Sequence, residues 1–131
     1  MKRVKMLLMV VGACVLGALL TGCRTRAAAP VNPRVRIADN LEGLVVVSDV
    51  RCMKGASDHS TFQATVVNCT GRELWLEWKV VWLDSEGMEI DSVVSTWSSA
   101  AIAPRDMKGL KGTAPRADAT DMRFYVRRCV R

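Results

Sequence analysis

The run RELWLEWKVVWLD at residues 72–84 constrains this chain more than any other stretch. Its even positions, Leu74, Leu76, Trp78, Val80 and Trp82, are all apolar, whereas Glu73, Trp75, Glu77 and Lys79 occupy the first odd ones. Successive side chains of a strand point to opposite faces, so a period of two predicts a strand with one face on a core and the other toward solvent. The later odd positions, Val81 and Leu83, turn apolar. The second half of this strand is therefore expected to be covered on both faces.

Asp84-Ser85-Glu86-Gly87 follows as a turn, with Gly87 free to take the positive φ that a short hairpin needs. Residues 88–97 are expected to return as the second strand of that hairpin. Earlier, residues 44–52 (LVVVSDVRC) and 61–69 (TFQATVVNC) read as strands on either side of a turn-rich segment at 54–60. Later, a proline break at Ala103-Pro104 precedes a short strand at 107–111, and Pro115 lies in the loop before a last strand at 122–128. Strands separated by turn signals, with no helical stretch behind the N-terminal segment, predict an all-β fold: a small antiparallel β-sandwich of about 6–7 strands. A domain this small buries only about 60–65% of its unfolded surface, so a few large side chains must fill the core. Phe62, Trp78, Trp82 and Phe124 are the expected ones.

The N-terminus has the three parts of an export signal: a basic start with Lys2, Arg3 and Lys5, an apolar stretch at residues 6–20, and small residues before a cut. A permanent membrane helix needs roughly 20 apolar residues, so this stretch suits a segment that is cleaved. Leu20-Thr21-Gly22-Cys23 resembles the bacterial lipobox. That resemblance implies removal of residues 1–22 and lipidation of Cys23. Because Arg24 and not Asp follows the cysteine, it also implies an outer-membrane destination facing the periplasm. Two or three acyl chains, at about 0.8 kcal/mol per buried methylene, would hold the chain firmly on a membrane. Residues 23–36, beginning CRTRAAAPVNP, are small, basic and proline-punctuated, and read as the lipidated N-terminus and its tether. The folded domain is expected over 37–131.

The net charge of +6 belongs to this leader rather than to the domain. From Ile37 onward there are 12 Lys plus Arg against 13 Asp plus Glu, a net charge of −1. A nucleic-acid footprint needs basic residues clustered on the folded part, so nucleic acid is excluded as a partner.

Asn68, the hairpin Leu76-Glu77-Trp78-Lys79-Val80-Val81-Trp82-Leu83-Asp84-Ser85-Glu86-Gly87, Trp97, Ile102-Ala103-Pro104, Ala114-Pro115 and Arg123-Phe124-Tyr125-Val126-Arg127 together resemble the YcfL family of bacterial lipoproteins (DUF1425). The resemblance spans residues 37–127. It implies a lipoprotein with an immunoglobulin-like sandwich and no established catalytic activity, and its shared residues are those that build a hairpin. Cys52, Cys69 and Cys129 lie outside that shared pattern.

Few side chains suggest chemistry. His59 is the only histidine and sits in a polar turn, whereas a nucleophilic triad or a zinc site needs several convergent groups. Asp84, Glu86, Glu89 and Asp91 lack the spacing of a calcium loop and read as a solvated hairpin. No catalytic residue, metal or cofactor is expected, nor a small-molecule ligand. Of the three cysteines behind Cys23, Cys52 and Cys129 are the pair favoured for a possible disulfide, on the premise that the first and last strands lie side by side and parallel, with three small buried thiols as the alternative. Trp75 and Trp97 form a possible contact surface, since Trp75 falls on the charged side of its strand. The expected function is a non-catalytic envelope module, anchored at Cys23, that binds a protein partner in wall or outer-membrane assembly. The alternative is a peptidoglycan or sugar binder that uses an exposed Trp surface.

Overall fold

The computed structural model describes residues 32–130. The export signal, the lipobox and Cys23 lie outside the described residues. Among the described residues, seven strands form two sheets: β1 (Val35–Ile37), β2 (Val45–Lys54), β3 (Ser60–Asn68), β4 (Leu74–Leu83), β5 (Ser98–Ile102), β6 (Met107–Thr113) and β7 (Asp121–Arg128). One sheet has the order β1-β7-β4-β5 and the other the order β2-β3-β6. A single 3-10 turn at Asp39–Leu41 drops Leu41 into the core.

The alternation of β4 places Leu74, Leu76, Val80 and Trp82 in the core, and β3 buries Phe62, Ala64 and Val66 in the same rhythm. Phe62 stacks on Phe124 of β7 at 5.2 Å between ring centroids, and Trp78 tilts against both at 6.0 and 6.2 Å. These aromatic contacts join the two sheets. Val81 and Leu83 are buried as well, so the second half of β4 is covered on both faces.

The four-residue turn after β4 is present, with Gly87 at φ +81° and its N–H donating to the Asp84 carbonyl. The expected return strand at 88–97 is not. Leu83 and Glu89 make one isolated bridge and the Ile90 N–H donates to Trp82, after which the chain leaves the sheet. Ser92 explains the departure: its hydroxyl accepts from the Val94 N–H and its carbonyl from the Ser95 N–H, which bends the backbone away from a ladder. The chain rejoins β4 at its far end, where Ser98–Ile102 pair with Trp78 to Leu74 in antiparallel register.

Two further expectations need correction. Val35 and Arg36, read as the end of the tether, form β1 with Ile37, and this short strand pairs parallel to β7, so the sandwich is not wholly antiparallel. The premise behind a Cys52–Cys129 disulfide also fails, because β2 and β7 belong to different sheets. Cys52 lies near Arg34 and Asp121, at the start of β7, whereas the Cys129 N–H donates to the Trp75 carbonyl beyond its end. Eight residues of strand, roughly 26 Å, separate those two places. Cys52, Cys69 and Cys129 are all free thiols.

Asn68 ends β3 and is completely buried. Its Nδ2 lies within hydrogen-bond reach of the carbonyls of Arg72 (2.7 Å), Ala103 (3.0 Å) and Ile102 (3.1 Å). Its Oδ1 accepts from the backbone N–H and the hydroxyl of Thr70. A buried amide satisfied on both sides fixes the β3–β4 connection and the end of β5 against one another.

Candidate functional site

The outer face of the four-stranded sheet is the most chemically varied surface. On β4 it carries Trp75, Glu77 and Lys79, and on β7 it carries Arg123, Tyr125 and Arg127, because Glu77 pairs with Arg127, Lys79 with Tyr125 and Val81 with Arg123. Arg36 of β1 stands opposite Tyr125 on the other side. Trp97 precedes β5 yet continues its alternation, and its ring lies on this face under two cations: Arg127 Cζ is 3.9 Å and Lys79 Nζ 5.1 Å from the ring centroid. Lys79 Nζ is also 5.3 Å from the Tyr125 ring. The order Trp97, Lys79, Tyr125 therefore sandwiches one ammonium between two aromatic faces, an arrangement worth about 0.5–1 kcal/mol per contact where solvent reaches it.

Acids complete the face. Glu77 Oε2 receives Arg127 Nε at 2.8 Å, which holds the guanidinium over Trp97, and Glu89 meets Arg123 at 3.4 Å. Trp75 is 40% exposed and donates its ring N–H to Glu73 at 2.8 Å. Trp75 and Trp97 thus share one face, four residues apart along the direction of β4, or roughly 13 Å. The surface can offer ring faces, guanidinium edges and carboxylates to a partner.

The sequence reading named Tyr125 and Arg127 only for the family resemblance and Lys79 only as an outward position of its strand, none of them as a contact surface. The signal was available in the alternation of Arg123, Tyr125 and Arg127 along the last strand. Only the antiparallel pairing of β7 with β4 brings that triplet to the face that carries Trp75.

The other groups with potential chemistry lie apart. His59 Nδ1 is 2.9 Å from the Ser57 carbonyl within its own turn. Among the described residues, no group of three or more His, Cys, Asp or Glu side chains comes together in a way that could hold a metal ion. Asp84 Oδ1 accepts from the N–H groups of Glu86 and Met88, which gives that carboxylate a turn-forming role. Burial pushes the Cys52 thiol up from its ordinary pKa, with Arg34 pulling it partly back.

A cleft of about 260 Å³ opens at the side of the sandwich. Trp78, Val80 and Trp82 form its apolar part, Val94, Thr96 and Ser98 border it from the chain that leaves and rejoins the sheet, and Lys111 to Thr113 of β6 close the opposite side. It exists because residues 91–97 do not pair with β4.

Residues 34–128 match the family model described as "Protein of unknown function (DUF1425)". The chain belongs to the DUF1425 family. A crystal structure of a DUF1425 family member from Shewanella sp. pv-4 superposes with a TM-score of 0.61 at 22% identity, over 66% of this chain and 80% of that one. The crystal structure of Campylobacter jejuni cj0090 gives the same TM-score at 18% identity, over 75% of this chain and all of that one (100%). At such identities the likeness concerns the DUF1425 fold alone. No curated protein matches the chain.

Proposed function

We propose that this DUF1425 chain is a non-catalytic envelope lipoprotein, held at the periplasmic side of the outer membrane by Cys23, whose sandwich recruits a protein partner in wall or outer-membrane assembly. The observation that carries this reading is the face on which Trp97, Tyr125 and Trp75 alternate with Lys79, Arg123, Arg127 and Glu77. Aromatic and arginine side chains are the residue types that dominate protein recognition, since each combines a large contact area with a directional polar group. Charge pairs within the face keep the cations in place in the free protein, which lowers the entropy lost on association. The leader supports the location: an export signal ending in Leu20-Thr21-Gly22-Cys23 and a short basic tether deliver the domain to a membrane surface.

Affinity capture from detergent-solubilised envelope tests the reading. The wild-type chain returns a reproducible partner and the doubly substituted Trp97→Ala, Tyr125→Ala chain does not; a wild-type capture without a reproducible partner overturns it. Metabolic labelling with a radioactive fatty acid tests the anchor, and label retained after Cys23→Ser removes it.

A second reading has its own support in the partly exposed ring of Trp75 beside Glu73, the kind of aromatic platform on which a sugar ring stacks. Sedimentation with insoluble peptidoglycan distinguishes it. Binding that disappears in Trp75→Ala favours the glycan, and binding that survives removes that site.

A further inference from the structure

The two sheets end in four edge strands, and three of them are blunted against strand addition. Strand β1 is only three residues long, and Arg36 turns its own guanidinium back onto the carbonyls of Pro33 and Val35, at 2.8 and 3.0 Å. Strand β2 carries an irregularity between Ser48 and Arg51, with Asp49 at φ +50°, and ends in Lys54. Strand β6 presents exposed Lys108 and Lys111. Bulges, short length and lysines are the means by which natural sheets keep other chains from pairing. Strand β5, Ser98–Ile102, has none of them: its sequence is SSAAI, without charge, proline or bulge.

The pairing of β4 shows what this edge offers. The Trp75 carbonyl accepts from Cys129 on the β7 side, and the Trp82 carbonyl accepts from Ile90 on the opposite side. Backbone groups alternate along a strand, so the even residues of β4 bond toward β5 and engage Ser98, Ala100 and Ile102. The N–H and C=O groups of Ser99 and Ala101 consequently point away from the sheet. No backbone hydrogen bond among the described residues reaches either one from outside β4.

We infer that β5 is the docking edge for an extended, uncharged segment of a partner protein, which adds to the four-stranded sheet as a fifth strand. This rests on the reading of the chain as a partner-binding module and names where and how the partner is held. Main-chain bonds to Ser99 and Ala101 supply the attachment, as in strand addition generally. The cleft beside Ser98 supplies selectivity: an inward-facing apolar side chain of the added strand would meet Trp78, Val80 and Trp82. The small outward side chains of Ser99 and Ala101 leave room for bulky neighbours on the other face. A segment that alternates apolar and polar residues fits both sides. A second copy fits less well, because antiparallel pairing about Ala100 would point the Arg34 ends of the two sandwiches in opposite directions, whereas copies lipidated at Cys23, eleven residues before Arg34, are held to one membrane by the same end.

The probe is a phage-displayed library of random linear peptides, panned on the full chain in detergent. Enriched peptides are expected to alternate apolar and polar residues and to lose roughly tenfold or more in affinity for Ala101→Pro, which removes one outward N–H. Ser99→Lys, which installs an edge lysine, is expected to cause the same loss; it retains every backbone donor and so covers a folding failure of the proline variant. Unchanged circular dichroism and melting point show that each variant is folded. Absence of enrichment, or equal binding to wild type and folded variants, overturns the edge assignment. Concentration-dependent self-association in sedimentation, abolished by the same substitutions, makes a second copy the occupant and also overturns it. If the peptides fail while envelope capture succeeds, the module reading stands and only the edge is removed.

Discussion

Asn68, at the end of β3, reaches across to Ile102, the last residue of β5 in the other sheet, and donates to its carbonyl oxygen at 3.1 Å. One amide thereby ties the two sheets at the pole of the sandwich opposite Arg34 and the start of β7. It also secures the end of the strand that offers an open edge.

Replacing Asn68 with Ala leaves the carbonyls of Arg72, Ile102 and Ala103 without this donor, and leaves the Thr70 N–H without its acceptor. Unsatisfied buried polar groups cost about 1–3 kcal/mol each where water cannot replace the partner. Asn68→Ala is expected to lose about 2–4 kcal/mol in urea denaturation. Asn68→Asp is expected to lose more, because it sets an acceptor against three acceptors.

Trp82 is 2% exposed and forms part of the core. Its truncation to Ala removes a large buried ring at a typical loss of about 3–5 kcal/mol, comparable with the whole stability of a domain this small. Trp82→Ala is expected not to accumulate as folded protein. A native circular dichroism spectrum with an unchanged melting point contradicts the core assignment.

The Cys52 thiol is raised chiefly by burial, so the folded state favours its neutral form. The unfolded chain then releases this proton first as the pH climbs. The contribution is fully present below the unfolded thiol pKa of about 8.5 and is lost as the pH rises through the higher folded value. Urea melts from pH 7 to 10 should show an alkaline loss of stability that is smaller in Cys52→Ala than in wild type. Non-reducing peptide mapping is expected to find no bridge between Cys52 and Cys129.

Trp97 binds its neighbours through cations at the surface, and its loss should be mild. Trp97→Ala is expected to lower stability by about 1–2 kcal/mol or less, from two cation–π contacts at about 0.5–1 kcal/mol each. Thermal melts check this, and a small shift makes the variant a clean reagent for binding experiments. Arg127→Ala should behave alike, since its pair with Glu77 is partly exposed and such pairs contribute little.

Much of the fold was legible because it rests on local alternation. The strands β3, β4 and β7 follow a period of two with few exceptions, and their large inward residues, Phe62, Trp82 and Phe124, are the core. Residues 88–97 show why local pattern has limits. Their composition suits a strand, yet after one bridge at Glu89 Ser92 bonds its own neighbours and the chain rejoins β4 only after Trp97. The β1 strand was equally hidden, since three residues after a proline carry no periodicity; pairing with β7 alone makes them a strand.

The sequence by itself determined the class of fold, the core aromatics and the near-neutral charge of the domain, since each depends on residue type and spacing along one segment. Only the tertiary structure decided which strands are neighbours. That choice sets β2 and β7 in separate sheets and parts Cys52 from Cys129. It also gathers Trp97, Lys79, Tyr125 and Arg127 on one face and leaves β5 at an edge. Alternation tells a strand which side is inward. Its partner is selected by the fit of whole faces, between residues fifty or more positions apart, as Glu77 and Arg127 are.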